Sequence, residues 1–386
     1  MAKLKARGRG CLRCGSVVLL GLALSACVLI PSPKEGQFKL LSNESLIIQS
    51  SFDRSYALAG KSGSVARKLT PVPDFDYGFQ TDLDGPTIYA GAARSDGLLR
   101  IDKKGNWRKI ETEKIGDFGG YTALFGLPDG GAIVARNKLA YNLPDGSYPN
   151  KIFRLDADGE VMWSTVVGLY VFRISVDDNR VILSGDDGKD GEQPLYIILD
   201  LENGSKVEQT SAQLPKTWYN FDDCAVRSDT IYCVVGYPKP GNGDIWDTSL
   251  VKFSLGEGKQ LGNPVYLENE IYNFRFINDK LYGVRESSED HTKLYTFDLD
   301  GNLLSKEVLD IDLIYPVIHG MYKQGTKLYL DFWATEAKKS NLTVKKAQSV
   351  LCLNTDTGKI TSETYDIPKS VYLGAGPVIP SSWFTR

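Results

Sequence analysis

The chain has 386 residues, 42% of them hydrophobic and 11% aromatic, which supplies a large core and excludes an intrinsically disordered class. Lysine and arginine number 45 against 48 aspartates and glutamates, so there is no basic excess of the kind that nucleic-acid binding demands. With only two histidines, a multi-histidine metal site or a conventional catalytic triad has little to work with.

Residues 1–26 read as a targeting segment. Lys3, Lys5, Arg7, Arg9 and Arg13 precede a short apolar run over residues 17–24, which is the length of a signal-peptide core and too short to span a bilayer. Leu24-Ser25-Ala26-Cys27 resembles the bacterial lipobox. That resemblance implies that Cys27 is diacylated and becomes the first residue of the mature chain. Val28 stands where an aspartate is associated with inner-membrane retention, which implies a Gram-negative outer-membrane lipoprotein facing the periplasm. Removing residues 1–26 takes away five basic and no acidic residues, so the mature charge is 40 − 48 = −8. Residues 27–37, with Pro31, Pro33 and Gly36, read as a short lipid-anchored tether, and residues 38–386 as one domain.

From residue 271 to 310 the chain reads I-Y-N-F-R-F, L-Y-G-V-R-E, K-L-Y-T-F-D-L and N-L-L-S-K-E-V, four period-two runs separated by turns. This pattern predicts a four-stranded antiparallel sheet. The unit recurs. A tyrosine opens its first strand at Tyr77, Tyr121, Tyr170, Tyr219, Tyr272, Tyr315 and Tyr372, 295 residues in six steps, about 49 per step, the length of a propeller blade. An aliphatic-tyrosine pair marks the second strand at Ile88-Tyr89, Ile231-Tyr232, Leu281-Tyr282 and Leu328-Tyr329, with Ile133-Val134 and Ile182-Leu183 in the other two repeats. A closing hairpin follows at Lys104-Gly105, Asp158-Gly159, Asn203-Gly204, Glu257-Gly258, Asp300-Gly301 and Thr357-Gly358.

The ends of the chain fit this scheme. Strand-like runs at Leu46-Ile47-Ile48 and Tyr56-Ala57-Leu58 lack an inner partner, while residues 371–379 begin a blade that is never completed. The expected fold is all-β, a seven-bladed β-propeller of four-stranded antiparallel blades. N-terminal outer strands pair with a C-terminal inner strand, which removes the exposed edges. By this repeat pattern, across residues 45–380, the chain resembles bacterial propeller lipoproteins.

Cys224 and Cys233 lie symmetrically about the turn Arg227-Ser228-Asp229, which places them opposite each other on adjacent strands, suited to a disulfide in an oxidising periplasm. Two buried thiols are the alternative, and Cys352 is left over. Three residues stand three after the opening tyrosine: Arg173, Asp222 and Arg275. In that register charges alternate around successive blades near the ring interior, to pair with one another or to hold a polar ligand. His319 falls in a first strand, either as a satisfied structural residue or facing the channel. Trp218 and Trp246, the latter in the Pro/Gly-rich stretch over residues 238–247, are candidate anchors for a partner.

Acidic turns at Asp82, Asp156 and Asp298 read as hairpins, and residues 186–192 as a richer acidic loop without the full ligand spacing for calcium. No metal, cofactor or catalytic motif is expected: G-x-S-x-G, H-E-x-x-H and a phosphate-binding glycine loop are all missing. The expected function is a membrane-tethered, non-catalytic binding or scaffold protein of the envelope that recognises another protein through its loop face, an immunity-type inhibitor being one form. The alternative is a periplasmic hydrolase, lyase or dehydrogenase with a central-channel site, so a small-molecule ligand stays open.

Overall fold

The computed structural model describes residues 34–50, 55–69, 82–91, 97–111, 120–137, 143–177, 179–186, 195–211, 220–239, 242–267, 271–285, 292–313, 316–334, 347–368 and 378–385. They form seven sheets arranged as a ring, the seven-bladed propeller expected from the repeats. Blade 6 shows the unit plainly: Tyr272–Ile277, Lys280–Arg285, Lys293–Asp298 and Leu303–Val308 pair antiparallel in sequence order. Blades 3, 4, 5 and 7 repeat it, with inner strands Tyr121–Gly126, Tyr170–Asp177, Asn220–Arg227 and Val317–Gln324. The opening positions Tyr77, Tyr219, Tyr315 and Tyr372 lie outside the described residues. The predicted closing hairpins all join third and fourth strands. Gly105, Gly159, Gly204, Gly258, Gly301 and Gly358 all adopt positive φ there, the conformation that a side chain resists.

Burial follows from the period of two, because alternate residues of a strand face opposite neighbours. In the second strand of blade 4, Val181 and Leu183 enter a core shared with blade 3, while Ile182 enters one shared with blade 5. Every apolar cluster is of this kind, shared between adjacent blades, so the cores form a continuous belt.

Blade 1 closes the ring. Its outer strands Ser45–Ser50, Ser55–Gly60 and Arg67–Lys68 come from the N-terminal part, and its inner strand Val378–Ile379 pairs with Leu46 and Ile47. Blade 7 pins that strand from the side: Tyr322 donates to the Val378 carbonyl at 2.6 Å, and the Val378 N–H donates to Asp331 at 3.2 Å. The Trp383 indole then donates to the Leu83 carbonyl at 3.2 Å, tying the C-terminal 3-10 turn to the entry of blade 2.

Two added strands extend this closure. Ser64–Val65 lies parallel to Tyr365 and Asp366 on the outer edge of blade 7. Glu35–Gln37 pairs with Asn106–Arg108 on the outer edge of blade 2. The latter corrects the expected tether over residues 27–37, whose last three residues belong to the propeller because their backbone completes a sheet edge.

Candidate functional site

The inner strands of blades 3 to 7 share an irregularity. Each pairs regularly from its hairpin, then carries an extra residue near its start: Thr122, Phe172, Asp222, the Asn273-Phe274 step and His319. A bulge breaks the alternation and re-aims side chains. It therefore decides what reaches the ring axis.

The bulges bear on the expected charge register. Asp222 is the bulged residue of its strand, and its side chain lies outside what is described. Its neighbour Asp223 is buried and bonded to Arg275 and Phe276 of blade 6. Arg173 and Asp223 each stand four residues before the last pair of their hairpin, Asp177 with Arg180 and Arg227 with Thr230. Arg275 stands only two before Ile277 and Lys280, so it lies deeper than Arg173.

Arg275 is held on every side. One terminal nitrogen meets Asp223 at 3.2 Å and the other Asp82 at 3.6 Å, while Nε donates to the Met321 carbonyl at 3.0 Å. Asp223 also accepts the Phe276 N–H at 3.0 Å. Asp82 is not the hairpin residue expected of it. It leads into blade 2 and accepts the N–H of Lys323, on the inner strand of blade 7, at 3.2 Å, and Asp84 two residues on accepts the Gly325 N–H. No signal local to residue 82 announces this, since its partners lie far along the chain.

Two cavities meet at this cluster. Asp82, Phe125 and Arg275 line both, so the ion pairs stand between them. The upper one, about 200 Å³, lies toward the start of the inner strands and is lined by Phe172, Arg173, Asn273, Phe274 and His319 among others. Arg173 is itself engaged by a partner. Burial drives the His319 pKa down to about 4, so its ring is neutral near pH 7. Its Nδ1 is buried without a hydrogen-bond partner. His319 thus lines the channel with its Nδ1 unpartnered.

On the same face, the structure reshapes residues 238–247. The second and third strands of blade 5, Thr230–Lys239 and Asn242–Ser254, continue past Gly236, the last partner of the inner strand among the described residues. Tyr237 then pairs with Asp247 and Pro238 with Trp246. The expected loop is thus a two-stranded ribbon carrying Trp246, whose side chain lies outside what is described, as does all of Trp218. Cys224 and Cys233 face each other across blade 5 with Cα atoms 4.2 Å apart and are joined by a disulfide. No group of metal-ligating side chains occurs among the described residues. Of the acidic loop over residues 186–192, only Asp186 is described.

No protein-family model matches the chain, and no curated protein matches it. Solved structures do. The apocarotenoid oxygenase of Synechocystis is similar at a TM-score of 0.51 and 7% identity, over 90% of this chain and 95% of that one. A prolyl endopeptidase is similar at 0.51 and 16% identity, over 88% of this chain and 49% of that one. BamB from Moraxella catarrhalis gives 0.41 and 15%, over 87% and 91%. At these identities the likeness is one of fold.

Proposed function

We propose that this chain is a lipid-anchored, non-catalytic binding or scaffold protein of the Gram-negative envelope, facing the periplasm from the outer membrane. It recognises another envelope protein through the face on which the inner strands begin. An immunity-type inhibitor is one form of this function. The observation that carries the reading is the ribbon of blade 5. Its strands run on past Gly236 and Thr248, beyond the last residue that the inner strand pairs among the described residues, and carry Trp246 there. A blade needs no such extension to pack. Tryptophan is enriched among the residues that dominate interface energies.

The channel supports the non-catalytic half of the reading. Its central arginine is occupied by two carboxylates and a carbonyl, an arrangement that braces blades 5, 6 and 7. The sequence of residues 24–27 supports the anchor.

Affinity capture from detergent-solubilised envelopes tests the reading, using the mature lipoprotein and a variant in which residues 238–247 are replaced by a two-residue turn. A partner retained by the first and lost by the second, at unchanged melting temperature, is the expected result. Equal capture by both would remove the ribbon from the interface. For the anchor, Cys27→Ser is expected to block acylation, and a variant that still fractionates with the outer membrane would contradict it.

A further inference from the structure

The upper cavity contains hydrogen-bonding capacity that the fold does not use. His319 Nδ1 is buried and unpartnered, and the Asn273 amide takes no partner among the described residues. Both sit at bulges, and Asn273 is held at φ 55°, a left-handed conformation that costs free energy away from glycine and that asparagine tolerates best. A buried polar atom left unsatisfied, as His319 Nδ1 is, is costly, and native structures seldom keep one without a ligand or ordered water to meet it; the half-buried Asn273 amide stands open to a ligand beside it.

The rest of the lining selects the chemistry of the ligand. Arg275 is saturated by Asp82, Asp223 and the Met321 carbonyl, and Arg173 is engaged as well. A charged ligand entering here would meet Arg275, Asp82 and Asp223 already committed to one another. The two available side chains are neutral and amphoteric: an imidazole donates at one nitrogen and accepts at the other, and an amide does both. Hydroxyl groups have the same double capacity. Phe125, Phe172 and Phe274 supply apolar walls.

From these features we infer that the upper cavity binds a small uncharged sugar, its hydroxyls meeting His319 and Asn273 and its C–H face resting on the phenylalanine walls. This site is separate from the ribbon, and its occupancy does not depend on a protein partner.

The chain offers a direct probe, because it has only two histidines. In the mature protein the imidazole Cε1–H resonances can be assigned with His291→Ala and followed by NMR during titration with glucose, galactose, N-acetylglucosamine and, as the charged comparison, glucuronate. The expected result is a saturable shift of the His319 resonance with at least one neutral sugar while His291 stays still. Asn273→Gly, which keeps the left-handed backbone and deletes only the amide, is then expected to weaken binding by up to about tenfold, the worth of one hydrogen bond. If no neutral sugar moves His319 at tens of millimolar, or if glucuronate alone does, the inference is overturned. Unchanged affinity in Asn273→Gly would overturn the assignment of that side chain.

Discussion

Arg275 ties together four parts of the ring: its own blade 6, Asp223 of blade 5, the Met321 carbonyl of blade 7 and Asp82 at the entry to blade 2. Both carboxylates are 5% exposed. Replacing Arg275 by methionine keeps much of the volume and strands two buried acids, a change that costs about 3–5 kcal/mol when one partner of a buried ion pair is removed. Urea unfolding is expected to show that loss, with part of it recovered by adding Asp223→Asn. A variant as stable as the parent would mean that the cluster is solvated and does not brace the channel.

Asp331 acts at the same scale on the ring seam. It accepts the Gln348 amide at 2.8 and 3.0 Å as well as the Val378 N–H, yet burial still raises its pKa to about 8. An unfolded aspartate loses its proton near about 3.9. Between those values the folded state binds more protons than the unfolded state, so this residue makes stability fall as pH rises, the reverse of a salt-bridged aspartate. Urea midpoints measured at about pH 5 and about pH 8 are expected to show a decline that Asp331→Asn reduces. An identical decline in the variant would assign the slope to other groups.

Among the elements, the strands and hairpins were legible in the sequence and the bulges were not. Strand identity rests on a period of two and on turn residues, and both are local. That is why Ile88-Tyr89, Leu281-Tyr282 and the glycine hairpins fall where the pattern puts them. A bulge adds one residue without changing composition, and a slip of one residue exchanges the two faces of a strand. The exchange makes Asp223 the partner of Arg275 where counting from tyrosine indicates Asp222. Gly185 records the same irregularity from the facing strand, since a Cβ there would lie 1.9 Å from the Tyr170 carbonyl oxygen. Asp82 was hidden for another reason: its partners are 193 and 241 residues away (275 − 82 and 323 − 82), and an Asp-x-Asp-Gly run looks like a hairpin wherever it stands.

Cys224 and Cys233 belong to this scale too, because their register is counted from the hairpin, where no bulge intervenes. Closing so short a loop constrains the unfolded chain by about 2–3 kcal/mol in the chain-entropy account. Peptide mapping under non-reducing conditions is expected to recover the two as one linked fragment. Two free thiols in protein purified without reductant would contradict the bond.

For the whole molecule, the shared cores matter more than any single blade. Each apolar cluster is built from adjacent blades, and the largest joins blades 7, 1 and 2 across the seam. The seam gathers unusual reinforcement: the Val378–Ile379 pairing, the Tyr322 and Asp331 bonds to Val378, the Trp383 bond to Leu83, and the added strands on blades 2 and 7. A ring opened there would expose two blade faces and end the channel that positions Arg275, Asn273 and His319. The proposed ligand cavity and the proposed partner face both presuppose closure.

The direct test is to delete residues 371–386 from the mature protein and compare thermal unfolding and protease resistance with those of the full chain. Loss of one short inner strand from a closed ring is expected to lower the melting temperature of the entire domain and expose blades far from the C-terminus to cleavage, because no blade keeps its core alone. A fraying tail behaves otherwise, since termini that are not tied down tolerate truncation. A truncated protein that stays soluble, resists protease and melts at the same temperature would contradict closure by the C-terminal strand.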